Sequence, residues 1–222
     1  IVPSKTSTPK PSKSSFDKLE HLVIQYIKAN NGSTNSKLDV LDIYVKTENS
    51  NWEIIINDIF SIDNYNKIHM KRALSILLSE NKEIKAITVI NELRKTKEFI
   101  DFYSLELGMH FLLKLNVKDA MNQYLLYLEY SPQNHKIITQ RVLLLADNIS
   151  FINVIKDILE NSDIIESKII LSHLEYKLKN YNEAYEIIQS IEGNESYKLE
   201  LVDDLIEIKN FDLSYKILSD IL

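Results

Sequence analysis

The residues of this 222-residue chain that could do acid-base or metal chemistry are its histidines and a short run of carboxylates. The five histidines, at positions 21, 69, 110, 135 and 173, include no His-x-x-x-His pair, the spacing that places two metal ligands on one helix face. Asp203, Asp204 and Glu207 lie close together on one predicted helix, a pattern more typical of a solvated face than of a catalytic pair. The sequence therefore predicts no metal site and no catalytic residue.

Thiol and phosphate chemistry lack their usual residues. The chain has no cysteine, which excludes disulfides, zinc-thiolate sites and thiol nucleophiles. Its three glycines lie dozens of residues apart, whereas the loops that cradle phosphates need several glycines close together. We expect no cofactor, and we predict that the chain is not an enzyme.

Charge and hydropathy narrow the range of partners. The formal net charge is −6, and residues 1–15 carry three lysines and no acid, so the remainder is more acidic than the whole. An acidic chain disfavours non-specific binding to nucleic acid, which depends on clustered Lys and Arg.

No stretch reaches the roughly 18 to 20 apolar residues of a membrane span. The chain lacks a starting Met and stops within a helical pattern, so we expect a piece of a longer protein, and no compartment is predicted.

The composition changes once along the chain. Residues 1–15 are rich in Pro, Ser, Thr and Lys, which predicts a flexible linker. From Phe16 the apolar residues recur at helical spacing, and Ser36 and Ser50 each begin a capping-box pattern that predicts a helix start. Beyond residue 11 only one proline, Pro132, remains, which favours helices joined by short polar loops.

A repeat organises the helices that would position any functional residue. Its best copy has the Leu, Gly, aromatic, Ala, aromatic and Pro spacing that resembles a tetratricopeptide repeat, in Leu107, Gly108, Phe111, Ala120, Tyr124 and Pro132. A slot for a small residue near the start of each second helix recurs at steps of 34, 34, 30 and 30, at Ala86, Ala120, Val154, Ala184 and Ser214. Val154 is larger than this slot requires.

The resemblance implies an all-α fold, a right-handed α-solenoid of about six antiparallel helix pairs with a leading helix. It covers residues 66–222 as repeats similar to tetratricopeptide repeats. Residues 16–65 are then N-terminal helices, either a divergent repeat or a cap.

In tetratricopeptide arrays the first helix of each pair lines a concave groove, so the resemblance places partner contacts there. The predicted partner-binding residues are Phe102, Leu105, Met109, Leu112, Leu113, Leu143, Ile169, His173 and Tyr176. The helix at 102–113 is apolar almost all round, so either a partner or the protein's own interior covers it. The resemblance thus implies a non-catalytic scaffold that binds a peptide or helix of another protein in an apolar groove.

Three other interpretations stay open at this point. Self-association would cover the same apolar helix. The chain could be the docking or regulatory arm of an enzyme whose catalytic domain lies outside these residues. A scaffold for RNA processing built from half-repeats is the third, and the acidic charge disfavours it.

Overall fold

The computed structural model describes residues 13–62 and 66–222. Within these ranges the chain contains no strand and forms the helices α1 (Lys13–Ala29), α2 (Thr34–Lys46), α3 (Trp52–Ile62), α4 (Lys67–Ser79), α5 (Glu83–Arg94), α6 (Ser104–Leu113), α7 (Val117–Tyr130), α8 (His135–Leu145), α9 (Ile149–Glu160), α10 (Ile165–Lys177), α11 (Tyr181–Gln189), α12 (Glu195–Glu207) and α13 (Phe211–Ile221). The all-α prediction is confirmed. Most of the predicted linker, residues 1–12, lies outside the described residues, and positions 13–15 already belong to α1.

The chain divides into two compact units, with the boundary in the sequence between Leu93 and Arg94. The boundary predicted between N-terminal helices and repeats, at 65/66, lies inside the first unit. In this first unit α2 packs on α1, α3 and α4. Its interior is filled by the fully buried side chains of Leu38, Leu41, Ile56, Ile59, Met70, Leu74 and Leu77. Burial of these aliphatic groups is the main force that holds the short helices together.

The start of α2 differs from the capping-box prediction. The N-cap is Ser33, whose hydroxyl accepts a hydrogen bond from the Ser36 amide at 3.3 Å. Ser36 itself lies inside the helix, is buried, and donates its hydroxyl to the Ser33 carbonyl at 2.7 Å. A serine three residues upstream competes for the same role, and the pattern alone did not distinguish the two. The second predicted start was closer, because α3 begins at Trp52, two residues after Ser50.

In the second unit, helices pack on the next helix in the chain, and some also pack on the helix after that. Helix α6 packs on α7, α10 on α11 and α12 on α13. In addition, α7 packs on α9, α8 on α10, and α11 on α12. One core cluster spans α7 to α10 around Met121, Tyr124 and Ile170, and another spans α11 to α13 around Tyr185 and Leu205.

Three turns of this unit share one backbone geometry. The residue after each helix C-cap is left-handed, at Leu115 (φ 59°), Lys179 (φ 68°) and Lys209 (φ 63°). The asparagine that follows donates its amide to a carbonyl five residues back, in the pairs Asn116 to Phe111, Asn180 to Glu175 and Asn210 to Leu205, at 2.8 to 2.9 Å. This is the Schellman arrangement, which satisfies the last carbonyls of one helix and reverses the chain into the next.

In each helix that follows such a turn, the small-residue slot is the fourth residue. Ala120, Ala184 and Ser214 occupy it, and all three are buried. Helix α9 departs from the series, because Val154 is 37% exposed and Ile155 is buried instead. The turn before α9 has no Schellman geometry, since Asp147, the residue after the C-cap, is not left-handed and the Asn148 amide donates to the Leu145 carbonyl, three residues back.

Gly108 marks the closest approach between α6 and α7. A Cβ atom at this position would lie 2.5 Å from Cε1 and 2.7 Å from Cδ1 of Tyr124, and 3.3 Å from the Ala120 carbonyl oxygen. Tyr124 is fully buried, so its ring has little room to move. Glycine is required here because any side chain would separate the two helices.

Candidate functional site

A small recess of the second unit lies between α10 and α12. It is lined by aromatic, histidine and carboxylate groups beside apolar ones, from Ile169, Ser172, His173, Tyr176, Ile188, Tyr197, Glu200, Leu201 and Asp204. The open space is about 10 Å³. A single water molecule needs about that much room. A bound molecule could therefore insert only the end of a side chain here, and most of it would lie on the surface.

His173 is the central titratable group of this recess. Burial lowers the pKa of the His173 imidazole below its ordinary value, while Glu200 and Asp204 oppose that change. His135 and Lys136, at the start of α8, act in the same direction as burial. The imidazole is therefore neutral at pH 7 and can donate one hydrogen bond and accept another.

The α12 side of the recess is acidic. Burial raises the pKa of the Asp204 carboxyl group, His173 opposes this, and neighbouring carboxylates led by Glu200 raise it further. Among the described residues, the carboxylates of the recess have one cation paired with them: Lys136 Nζ lies 3.4 Å from Glu200 Oε1. Both side chains of that pair are exposed, and such pairs are worth about 0 to 1 kcal/mol. A competing cation could displace Lys136 at little cost.

Aromatic side chains connect α8 and α10 to α12. The Tyr176 hydroxyl of α10 donates to the backbone carbonyl of Asp204 in α12 at 3.0 Å. Burial raises the pKa of Tyr176, so this hydroxyl keeps its proton at neutral pH. The ring of His135 in α8 meets the ring of Tyr197 in α12 edge-on, with centroids 6.3 Å apart. The recess therefore lies between α10 and α12, with Ile188 of α11 also in its lining and α8 packed beside it.

The structure brings together three of the nine residues predicted to bind a partner. Ile169, His173 and Tyr176 all line the recess. The other six, on α8 or on α6 and the segment before it, divide by exposure: Phe102 is buried, Leu105, Leu112 and Leu143 are half-buried, and Met109 and Leu113 are exposed. Leu105 and Leu143 pack against the core cluster of the second unit.

Sequence reasoning missed the α12 side of the recess. Stepping 30 residues from Ile169 and Tyr176 leads to Leu199 and Ile206, but the recess uses Tyr197, Glu200 and Asp204 instead. Neighbouring helices in a stack present opposite sides to each other, so a constant step selects the wrong side of the second helix. The signal that could have found them is the i, i+3, i+7 spacing of Tyr197, Glu200 and Asp204.

A wider depression of about 620 Å³ lies beside the starts of α11 and α13. Its charged side chains alternate in sign, since Lys179 and Lys216 stand beside Glu183 and Asp212. It is open and mostly polar, so it has neither the enclosure nor the single charge that would select one kind of ligand. The recess is the better candidate, because its carboxylates and its half-buried imidazole converge from different helices.

No protein-family model, curated protein or solved structure matches this chain. Over the residues that the structure describes, none of the helices is both long and apolar enough to traverse a bilayer. The same ranges contain no group of three or more His, Asp or Glu side chains placed to hold a metal ion.

Proposed function

We propose that this chain is a non-catalytic protein-binding scaffold, and that the recess between α10 and α12 receives a basic side chain of the bound segment. The observation that carries the proposal is the convergence of α10 and α12 on one small acidic and aromatic recess, with α8 held beside it by the His135–Tyr197 ring contact and the Lys136–Glu200 ion pair. We also propose that the helices form a curved α-solenoid with these three helices on its inner side. The tetratricopeptide-like spacing and the repeated Schellman turns support this arrangement.

The contact between Lys136 and Glu200 supports the curvature. It joins α8 to α12 and skips α10, which lies between them in the chain. A side chain can span two neighbours only where the helices converge, and helices converge on the inner side of a curved array. Inner surfaces of such arrays are where extended partner segments bind.

The size of the recess favours a protein segment over a small molecule. Pockets for small molecules usually enclose about 300 to 1,000 Å³, whereas this recess offers about 10 Å³. A peptide or helix needs only a shallow anchor point for one side chain, with further contacts along the surface. The exposed side chains of Met109 and Leu113 in α6 are our proposed contacts for the apolar part of the same segment.

The electrostatics favour a cation. Burial and the neighbouring carboxylates led by Glu200 disfavour the charged form of Asp204, which raises the pKa of its carboxyl group. A Lys or Arg from a partner would relieve that unfavourable interaction and replace the weakly held Lys136. Neutral His173 and the tyrosine rings offer hydrogen-bonding and cation-π surfaces to the same group.

The proposal is tested with two labelled peptides that share one amphipathic helical pattern and differ only in having Lys or Glu at the polar positions. Fluorescence anisotropy is expected to show binding of the Lys peptide alone. Asp204→Asn and Glu200→Gln should each weaken that binding by about tenfold, the equivalent of roughly 1.4 kcal/mol for a lost charged contact.

The matched control is Glu186→Gln, which removes the same charge from an exposed position of α11 outside the recess. It should leave the affinity within about twofold of the unmodified chain. Because burial disfavours the charge of Asp204, we expect Asp204→Asn to keep the thermal stability of the unmodified chain, and a thermal melt of the variant checks that a loss of binding does not come from unfolding. Equal binding of both peptides, or an equal loss with Glu186→Gln, would show that the recess is not the binding site.

A further inference from the structure

Between residues 94 and 210, the most exposed large apolar side chains all lie at two turns. They are Leu113 (80%), Leu115 (69%), Leu144 (71%) and Ile149 (83%). The next in order, Ile165, is 51% exposed. The first two lie at the end of α6, and the last two lie on either side of the connection from α8 to α9. We call these four side chains the apolar turn patch.

The two turns lie side by side. Helix α7 begins after the first turn and α9 after the second, and these helices pack on each other. Val117, the first residue of α7, belongs to the core cluster that joins α7 to α10, and Leu145 and Phe151 at the second turn pack against the same cluster. The connections before α7, α8 and α9 are three or four residues long, so the chain reverses at each of them and both turns lie at the same end of their helix pairs.

The repeat does not require apolar residues at the first of these turns. The equivalent positions of the other two Schellman turns are charged and exposed: Lys177 and Lys179 in one, Glu207 and Lys209 in the other. Leu113 and Leu115 therefore occupy positions where the same fold elsewhere presents charges to solvent. A cluster of exposed apolar side chains without a packing role indicates an interaction surface.

The shape of the patch favours a lipid surface over a protein helix. A partner helix binds in a groove, where its apolar side is enclosed. The patch instead projects from the ends of helices, and neither of the two cavities described above includes any of its residues. The headgroup region of a bilayer accepts apolar side chains from such a projecting surface without a matching shape.

The charges near the patch suit negative headgroups. Lys114 lies within the first turn and Lys118 just after it, and both are exposed. The nearby carboxylates are engaged within the protein, since Asp119 accepts a hydrogen bond from a neighbouring asparagine at 2.7 Å and Asp147 Oδ1 lies 2.5 Å from Lys177 Nζ. The lysines are therefore the charges that this end offers to an anionic surface.

The opposite end of the same helices is acidic. The segments 160–166 and 190–195, which connect α9 to α10 and α11 to α12, contain five carboxylates and no cation. The remaining connection at that end, 131–134, has no charged residue. A negative surface would repel this end and orient the apolar turn patch toward itself.

We propose that the apolar turn patch binds the surface of an anionic lipid bilayer, with its four side chains in the headgroup region and Lys114 and Lys118 on the headgroups. The second unit then lies on the membrane by one end of its helices. This binding goes beyond the proposed recognition of a protein segment. Leu113 is also a proposed contact of that segment, so the test changes Leu115 and Ile149 instead.

Flotation of the 222-residue chain with lipid vesicles tests the proposal. The chain should float with vesicles of phosphatidylcholine containing about 30% phosphatidylserine, and less with phosphatidylcholine alone. The double variant Leu115→Glu, Ile149→Glu should lower the partition coefficient by at least about tenfold, with an unchanged circular dichroism spectrum because both positions are exposed. The same variant should bind the Lys peptide normally, and Asp204→Asn should bind vesicles normally, so the two proposals can fail separately.

The matched control is Ile137→Glu, Ile165→Glu, which adds the same charges to exposed positions in the first turns of α8 and α10, at the opposite end of the helices. It should float like the unmodified chain. Insertion can be measured directly, because the chain has no cysteine of its own. A polarity-sensitive dye on Leu115→Cys should shift to shorter wavelength with vesicles, and the same dye on Ile165→Cys should not.

A chain that floats with neither kind of vesicle would overturn the proposal and leave the patch for a protein partner. Flotation that survives the double Glu substitution at the patch, an equal loss in the control, or a dye at position 115 that does not respond would overturn it as well. Equal flotation with both kinds of vesicle would overturn the assignment to anionic lipid.

Discussion

Replacement of Gly108 by alanine tests whether the close crossing of α6 and α7 is a structural requirement. The added Cβ would lie 2.5 and 2.7 Å from two ring carbons of Tyr124. Carbon atoms make their best contacts at about 3.5 to 4.0 Å, so the ring or the helix must move by about 1 Å. Tyr124 is fully buried in the core cluster that joins α7 to α10, and a movement of its ring disturbs those neighbours too.

Two opposing effects set the magnitude. Overpacking a filled core costs about 1 to 3 kcal/mol, and a rigid, fully buried ring places this case near the upper end. Alanine is a better helix former than glycine by about 1 kcal/mol, which offsets part of the cost. We therefore expect Gly108→Ala to lower the free energy of unfolding by about 2 kcal/mol. For a chain of this size that corresponds to a fall in Tm of roughly 4 to 8 °C.

The assay is urea denaturation followed by far-ultraviolet circular dichroism, carried out as a double-mutant cycle. Tyr124→Val removes both ring carbons that the new methyl group would meet, so in that background Gly108→Ala should become stabilising by up to about 1 kcal/mol. A Gly108→Ala variant as stable as the unmodified chain would refute the reasoning. So would an equal loss in both backgrounds, since the cost would then have no connection with Tyr124.

Three further predictions concern a turn, a buried ion pair and the recess. Leu115→Gly should stabilise the chain by about 1 kcal/mol, because Leu115 is exposed and left-handed. Urea denaturation measures this change. As the control, Lys114→Gly changes the preceding residue, whose φ is −93°, and should destabilise the chain. Lys156→Met should cost about 2 to 3 kcal/mol, because Lys156 Nζ lies 2.6 Å from the carboxylate of fully buried Glu175; the double replacement of both residues by Met should recover most of the loss in thermal melts. Burial lowers the pKa of His173, so the unfolded chain takes up the proton first as the pH falls. The free energy of unfolding should therefore decrease below about pH 6.5, by at most about 1.4 kcal/mol per pH unit. His173→Gln should reduce this slope of stability against pH. An unchanged slope in His173→Gln would contradict that assignment.

The all-helical content was predictable because helical periodicity depends on nearby residues. The repeat-like spacing includes a glycine at position 108, and the structure has a close crossing of two helices there. Start positions were harder, since Ser33 and Ser36 both satisfy the local pattern for an N-cap. The choice between them depends on burial: Ser36 faces the core of the first unit, and that is a tertiary property.

The candidate site was only half predictable for a related reason. Ile169, His173 and Tyr176 came from the position of α10 in the repeat, which is local information. Glu200 and Asp204 face them from α12, and that pairing depends on how one helix rotates against the next. A sequence pattern gives the period of a stack but not the rotation between its members.

The turn before α9 shows how such a rotation is set. The turns at Leu115, Lys179 and Lys209 share a left-handed residue, and the helix after each buries its fourth residue. The turn between α8 and α9 lacks that geometry, and there Ile155, one residue past the predicted slot at Val154, is buried instead. One residue is about 100° on a helix, so the backbone of the turn decides which side of the second helix faces inward. Assigning residues of a repeat to a surface therefore requires the backbone geometry of the turn as well as the repeat period.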